Sequence, residues 1–153
     1  MTHVIEQQKF SFKRLTKADW SWFHFKIALL AWSITLLIYT PIPIANALGP
    51  VAAVFTSLTA VGVVISLVGL VMSAQIGKIG LIGLTVEYSG IIFTFAGPVN
   101  YLITQIYLAV KEPDGHNRYA LCVLAYVVIS ALAARFRIVR NRRVKALNVP
   151  DPE

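Results

Sequence analysis

The stretch VAAVFTSLTAVGVVISLVGLVM, Val51–Met72, carries no charged residue. About 20 such residues span the hydrocarbon of a bilayer as an α-helix. No water-soluble fold readily hides a helix that is apolar on almost every side. This segment therefore sets the class of the whole chain, and its neighbours follow the same pattern. Ile27–Tyr39 is a second uncharged run, extended on its N-terminal side by Trp20, Trp22, Phe23 and Phe25. Aromatics of this kind favour the membrane–water boundary. Ile79–Val110 is a third run, with a single charge at Glu87, and Tyr119–Ala134 is a fourth. The reading is an all-α integral membrane protein of four transmembrane helices, with helices near residues 17–40, 51–74, 79–110 and 118–143.

Composition agrees. The 153 residues are 57% hydrophobic and only 14% charged, against about 25% charged in soluble domains. The net charge is +7. In a soluble protein such a charge points to nucleic acid. Here the basic residues lie beside apolar segments, so lipid contact and topology are expected and nucleic acid is not. Of the 14 Lys and Arg residues, Lys111 and Arg118 fall on one side of the predicted bundle and the other twelve on the opposite side. That asymmetry places both termini in the cytoplasm and the chain in the cytoplasmic (inner) membrane as a multi-pass protein. A two-span alternative would leave Val51–Met72 in water.

The predicted organisation is a flexible cytoplasmic arm over 1–16, a four-helix transmembrane domain over 17–147 and a disordered tail over 148–153. No cleavable signal peptide is expected, since no small-residue cleavage site follows the first apolar run. Thr16 and Asp19 fit a helix start, with an acid three residues after a hydroxyl. Thr40-Pro41-Ile42-Pro43 ends the first helix, and 44–50 follows as an uncharged connector. The embedded part of the third run is read as Tyr88–Val110, which puts Glu87 near the cytoplasmic boundary, and Gly97-Pro98 should kink that helix midway. The fourth run has so few uncharged residues that Arg135 and Arg137 must snorkel, or the helix must sit where the bilayer thins.

Two stripes of small residues stand out. Thr59, Gly62, Ser66, Gly69 and Ser73 recur at steps of three and four, as do Gly83, Glu87, Gly90, Thr94 and Gly97. Small residues let helix backbones approach closely in a membrane. These are the expected helix-packing positions; the spacing leaves open whether they pack within one bundle or between copies. Lys26, Arg135, Arg137, Arg140, Arg142 and Arg143 are the expected contacts to anionic headgroups.

Catalytic chemistry finds little support. His3, His24 and His116 are the only histidines, and Cys122 is the only cysteine. No Cys/His metal spacing, phosphate-binding loop, nucleophile elbow or paired carboxylates occur. Glycines 77, 80 and 83 lack the preceding strand that a phosphate cradle needs. No enzyme activity, cofactor, metal or catalytic residue is therefore expected. Glu87 is the one acid in the apolar runs. It reads either as an interfacial structural acid or, since ionisable groups within membranes are often functional, as a proton or cation relay.

Gly83-Leu-Thr-Val-Glu87-Tyr-Ser-Gly90, followed by Ala96-Gly97-Pro98-Val-Asn-Tyr101, resembles small four-span membrane proteins of actinobacterial phages, the holins and their neighbours. The resemblance covers about 30 residues and transfers no functional residue. It implies homo-oligomerisation in the cytoplasmic membrane and timed permeabilisation. Two further functions are compatible with the same sequence: an accessory or assembly subunit of a larger membrane complex, and a small ion- or proton-coupled transporter using Glu87.

Overall fold

A computed structural model describes residues 15–75, 78–111 and 118–147. The expectations for 1–14 of the arm, for the turn at 76–77, for 112–117 and for the 148–153 tail lie outside those residues. Among the described residues every regular element is a helix: α1 (Lys17–Ile38), α2 (Ile42–Leu48), α3 (Pro50–Ser73), α4 (Lys78–Thr94), α5 (Ala96–Lys111) and α6 (Tyr119–Leu147). Among the described residues, four stretches are long and apolar enough to cross a membrane: α1, α3, α4 with α5, and α6.

Local chemistry sets the ends of these helices. Thr16 caps α1. Its hydroxyl accepts the Asp19 backbone N–H at 3.2 Å and donates to the Asp19 carboxylate at 2.8 Å, so Thr16 belongs to the helix start and not to a loose arm. The uncharged connector holds most of a short helix, α2, with Pro41 as its N-cap. Gly49 then links α2 to α3 at φ +54°, a left-handed conformation that glycine adopts without a Cβ clash.

The third long run is interrupted at Phe95, between α4 and α5. Pro98 explains the position. It has no N–H to donate to the carbonyl four residues earlier, Thr94. The Val99 amide still donates to the Phe95 carbonyl at 3.1 Å. The effect of Pro98 is thus felt one turn before the Gly97-Pro98 pair. As one span, Lys78–Lys111 has 34 residues, about 51 Å at 1.5 Å per residue. That exceeds the roughly 30 Å of a hydrocarbon core, so tilt or protruding ends are required.

Polarity is inverted relative to a soluble bundle. Val54, Val61, Val64 and Val68 of α3 and Val123, Leu124 and Val127 of α6 face outward, while Ser33, Thr59, Ser66, Thr94, Thr104 and Gln105 are buried. The closest helix pair is α3 with α4; α1 lies on α3, and α6 lies on α4 and α5. The backbones of α1 and α6 scarcely approach each other. Their meeting is made by side chains, including an apolar cluster of Leu29, Val63 and Leu132.

Candidate functional site: a buried ion cluster

The two small-residue stripes face one another inside the same chain. A Cβ on Gly62 would lie 2.5 Å from the Thr94 amide nitrogen and 2.8 Å from the Gly90 carbonyl oxygen. One on Gly90 would meet the Ser66 backbone, one on Gly69 the Glu87 backbone, one on Gly83 Ser73, and one on Gly97 the Thr59 side chain. Thr59 also joins the helices directly: its hydroxyl accepts the Gly97 N–H at 2.7 Å and donates to the Phe55 carbonyl at 2.9 Å. The Thr94 hydroxyl stays on its own helix, donating to Gly90 O at 2.8 Å.

This close approach brings Glu87 inward. Its side chain is fully buried, in a helix that begins nine residues earlier at Lys78. Glu87, expected as a helix-packing position, is thus an acid enclosed by the bundle. Lys26 Nζ of α1 lies 2.6 Å from Glu87 Oε1 and also donates to the Ser66 carbonyl at 3.1 Å. Arg135 of α6 donates from Nε to Glu87 Oε1 at 2.9 Å and from Nη2 to Oε2 at 3.2 Å. Its third nitrogen, Nη1, reaches Asp19 Oδ1 of α1 at 3.0 Å. Arg142, one face-repeat further along α6, bonds the same Asp19 oxygen at 3.1 Å.

Two acids and two bases are thus buried together: Asp19, Glu87, Lys26 and Arg135. Formal charge within the four sums to zero, and Arg142 adds a positive rim with its side chain 42% exposed. Burying an ion demands several kcal/mol of desolvation. The cluster meets that demand with short, charge-assisted bonds, the forked arginine–carboxylate pair among them. The Trp22 ring covers the cluster on one side, 5.6 Å from the Arg135 guanidinium. The polar inventory is almost closed: among the described residues, Ser66 Oγ and Arg143 Nε are the buried side-chain atoms without a hydrogen-bond partner.

The expectation that Lys26 and Arg135 contact lipid headgroups is corrected. Their side chains are 3% and 1% exposed and serve Glu87. The physical reason is that a carboxylate within reach in a low-dielectric interior binds a cation more strongly than a distant headgroup does. Arg137 and Arg140 are exposed on α6. Arg143 lies over the Tyr88 ring at 5.6 Å, and Tyr88 stacks on Phe136 at 4.6 Å. Asp19 was read only as a helix-start residue. Its position seven residues before Lys26, on the same helical face, was the available signal.

An apolar crevice lies between α1, α5 and α6. It has a volume of about 190 Å³ and is lined by Phe25, Leu29 and Trp32 of α1, Pro98 and Tyr101 of α5, and Leu124, Ala125 and Val128 of α6. No three His, Cys, Asp or Glu side chains gather as a metal-binding group among the described residues. Comparison with protein-family models, with curated proteins and with solved structures finds no match.

Proposed function

We propose that this chain is a non-enzymatic multi-pass protein of the cytoplasmic membrane, with both termini cytoplasmic, that assembles holin-like in the bilayer and permeabilises it. The distribution of basic residues supports the orientation. One observation carries the functional reading: the dense polar surface of the bundle is stored inside it, in the Asp19–Lys26–Glu87–Arg135 cluster. An aqueous path through a membrane needs polar lining. The outer faces of α3 and α6 offer mainly Val, Ile and Leu, which suit lipid. Parting α1 from α6, whose backbones scarcely touch, would turn four ionisable side chains toward such a path. In this reading the closed bundle is the harmless form, and copies that open together make the lesion.

A specific observation favours a second reading, an accessory subunit of a larger membrane complex. Gly62, Gly69, Gly83 and Gly90 are consumed by α3–α4 packing within one chain, so they are not free to join copies. The transporter reading rests on Glu87 alone and requires its cations to release it. Expression of the protein by itself in a bacterium separates the first two. The permeabilising reading expects the membrane potential to collapse once the protein has accumulated. Accumulation in the membrane with the potential intact removes that reading, and co-purification with a fixed partner would then support the accessory subunit.

A further inference from the structure

We propose that the seam between α1 and α6 is a binding site for one anionic phospholipid, with an acyl chain in the apolar crevice and the phosphate on Arg142. This inference is independent of permeabilisation. The crevice walls are Phe25, Leu29 and Trp32 on one side and Leu124, Ala125 and Val128 on the other, a lining suited to a hydrocarbon chain and to little else. Ala125, Val128, Leu132, Arg135, Val139 and Arg142 follow steps of three and four, so they share one face of α6. Arg142 therefore lies on the same seam as the crevice, at its charged end.

The lengths agree. From Val128 to Arg142 is 14 residues, about 21 Å along the helix axis. Side chains on a helix lean toward its N-terminus, and Arg142 does so in reaching Asp19. The guanidinium is thereby brought closer to the crevice, toward the roughly 15 Å that one leaflet's hydrocarbon occupies. Between the two ends, Trp22 lies over the buried Arg135, so a chain running along the seam meets an aromatic surface and not an open charge.

Charge selects the headgroup. Asp19 accepts from Arg135 as well as from Arg142, and Arg142 remains 42% exposed. Among the described residues its side chain makes one hydrogen bond, to Asp19, which leaves N–H donors for a phosphate. A net-anionic lipid is favoured over a zwitterionic one by roughly 1 kcal/mol per basic residue at the surface.

The test is native mass spectrometry of the full-length protein, purified in detergent and exchanged with vesicles of phosphatidylglycerol or phosphatidylcholine. Wild type should retain one lipid and prefer phosphatidylglycerol by about fivefold, the equivalent of 1 kcal/mol. Ala28→Phe, at an exposed crevice position, should retain at least tenfold less. Arg142→Gln should retain lipid but lose the preference. Leu124→Trp fills the crevice from α6 and replaces Ala28→Phe if that variant unfolds. Wild type emerging lipid-free, equal retention of the two lipids by wild type, or undiminished retention in the filled-crevice variant would each overturn the proposal.

Discussion

Glu87 on α4 and Arg135 on α6 meet as a two-pronged pair, Nε to Oε1 at 2.9 Å and Nη2 to Oε2 at 3.2 Å, with no exposed surface on the glutamate. Lys26 closes on the same carboxylate from α1. One side chain thus holds two other helices in place. Such a centre is expensive to bury and specifies a single arrangement of helices, because any sliding of α1 or α6 leaves a charge unpaired.

Glu87→Leu should therefore be severe. It leaves Lys26 and Arg135 buried without their acid, and loss of one partner of a buried pair costs about 3–5 kcal/mol. Glu87→Gln keeps the shape and one accepting oxygen, loses the charge and turns an amide N–H2 toward a cation, and should cost less than Glu87→Leu. Arg135→Lys should also weaken the protein, since an ammonium lacks the planar fork that engages both Glu87 oxygens. Thermal unfolding in detergent should rank the variants wild type, then Glu87→Gln, then Glu87→Leu. A Glu87→Leu midpoint equal to wild type would contradict the pairing.

Gly90→Leu should block folding, because even a Cβ at that position meets the Ser66 backbone. Ile92→Leu, on the exposed side of the same helix, should be nearly neutral. Yield of monodisperse protein by size-exclusion chromatography distinguishes the two. Equal yields would mean that α3 and α4 do not pack at this seam.

Ser66→Ala should be neutral or slightly stabilising. The Ser66 carbonyl receives Lys26, and the substitution leaves that carbonyl in place. Its hydroxyl is buried without a partner, and an unsatisfied buried hydroxyl is unfavourable by about 1–3 kcal/mol. A fall in unfolding midpoint would show that the hydroxyl has a partner after all.

The four long helices were legible because bilayer-length apolar runs leave few alternatives; Val51–Met72 alone excludes most. The facing stripes were legible as contact faces, since Gly62 and Gly90 recur at helical spacing. Whose helix filled them was not, because spacing is local and the answer lies 28 residues away. The ion cluster was missed for the same reason. Lys26 and Arg135 read as snorkelling cations when each is judged beside its own apolar run. Only the fold brings Glu87 between them, across sequence separations of 61 and 48 residues. Asp19 carried two roles, helix-start partner of Thr16 and ion partner of Arg135 and Arg142; spacing displayed the first directly and the second only through its seven-residue step to Lys26.

Topology is checked by reporter fusions. One placed after Glu153 should read as cytoplasmic, and one inserted at Gly115 should read as external. A cytoplasmic reading at Gly115 would remove the four-span orientation.

The central claim is that side-chain charge holds α1 against α6 and that release of this contact opens the bundle. Asp19 bonds both Arg135 and Arg142, so Asp19→Asn weakens both links while leaving a polar side chain at the Thr16 cap. The decisive measurement is the time at which membrane potential collapses in bacteria expressing Asp19→Asn or wild type at matched membrane levels. The variant should collapse the potential earlier than wild type. Collapse at the same time, or a potential that stays intact with both proteins, would contradict the account.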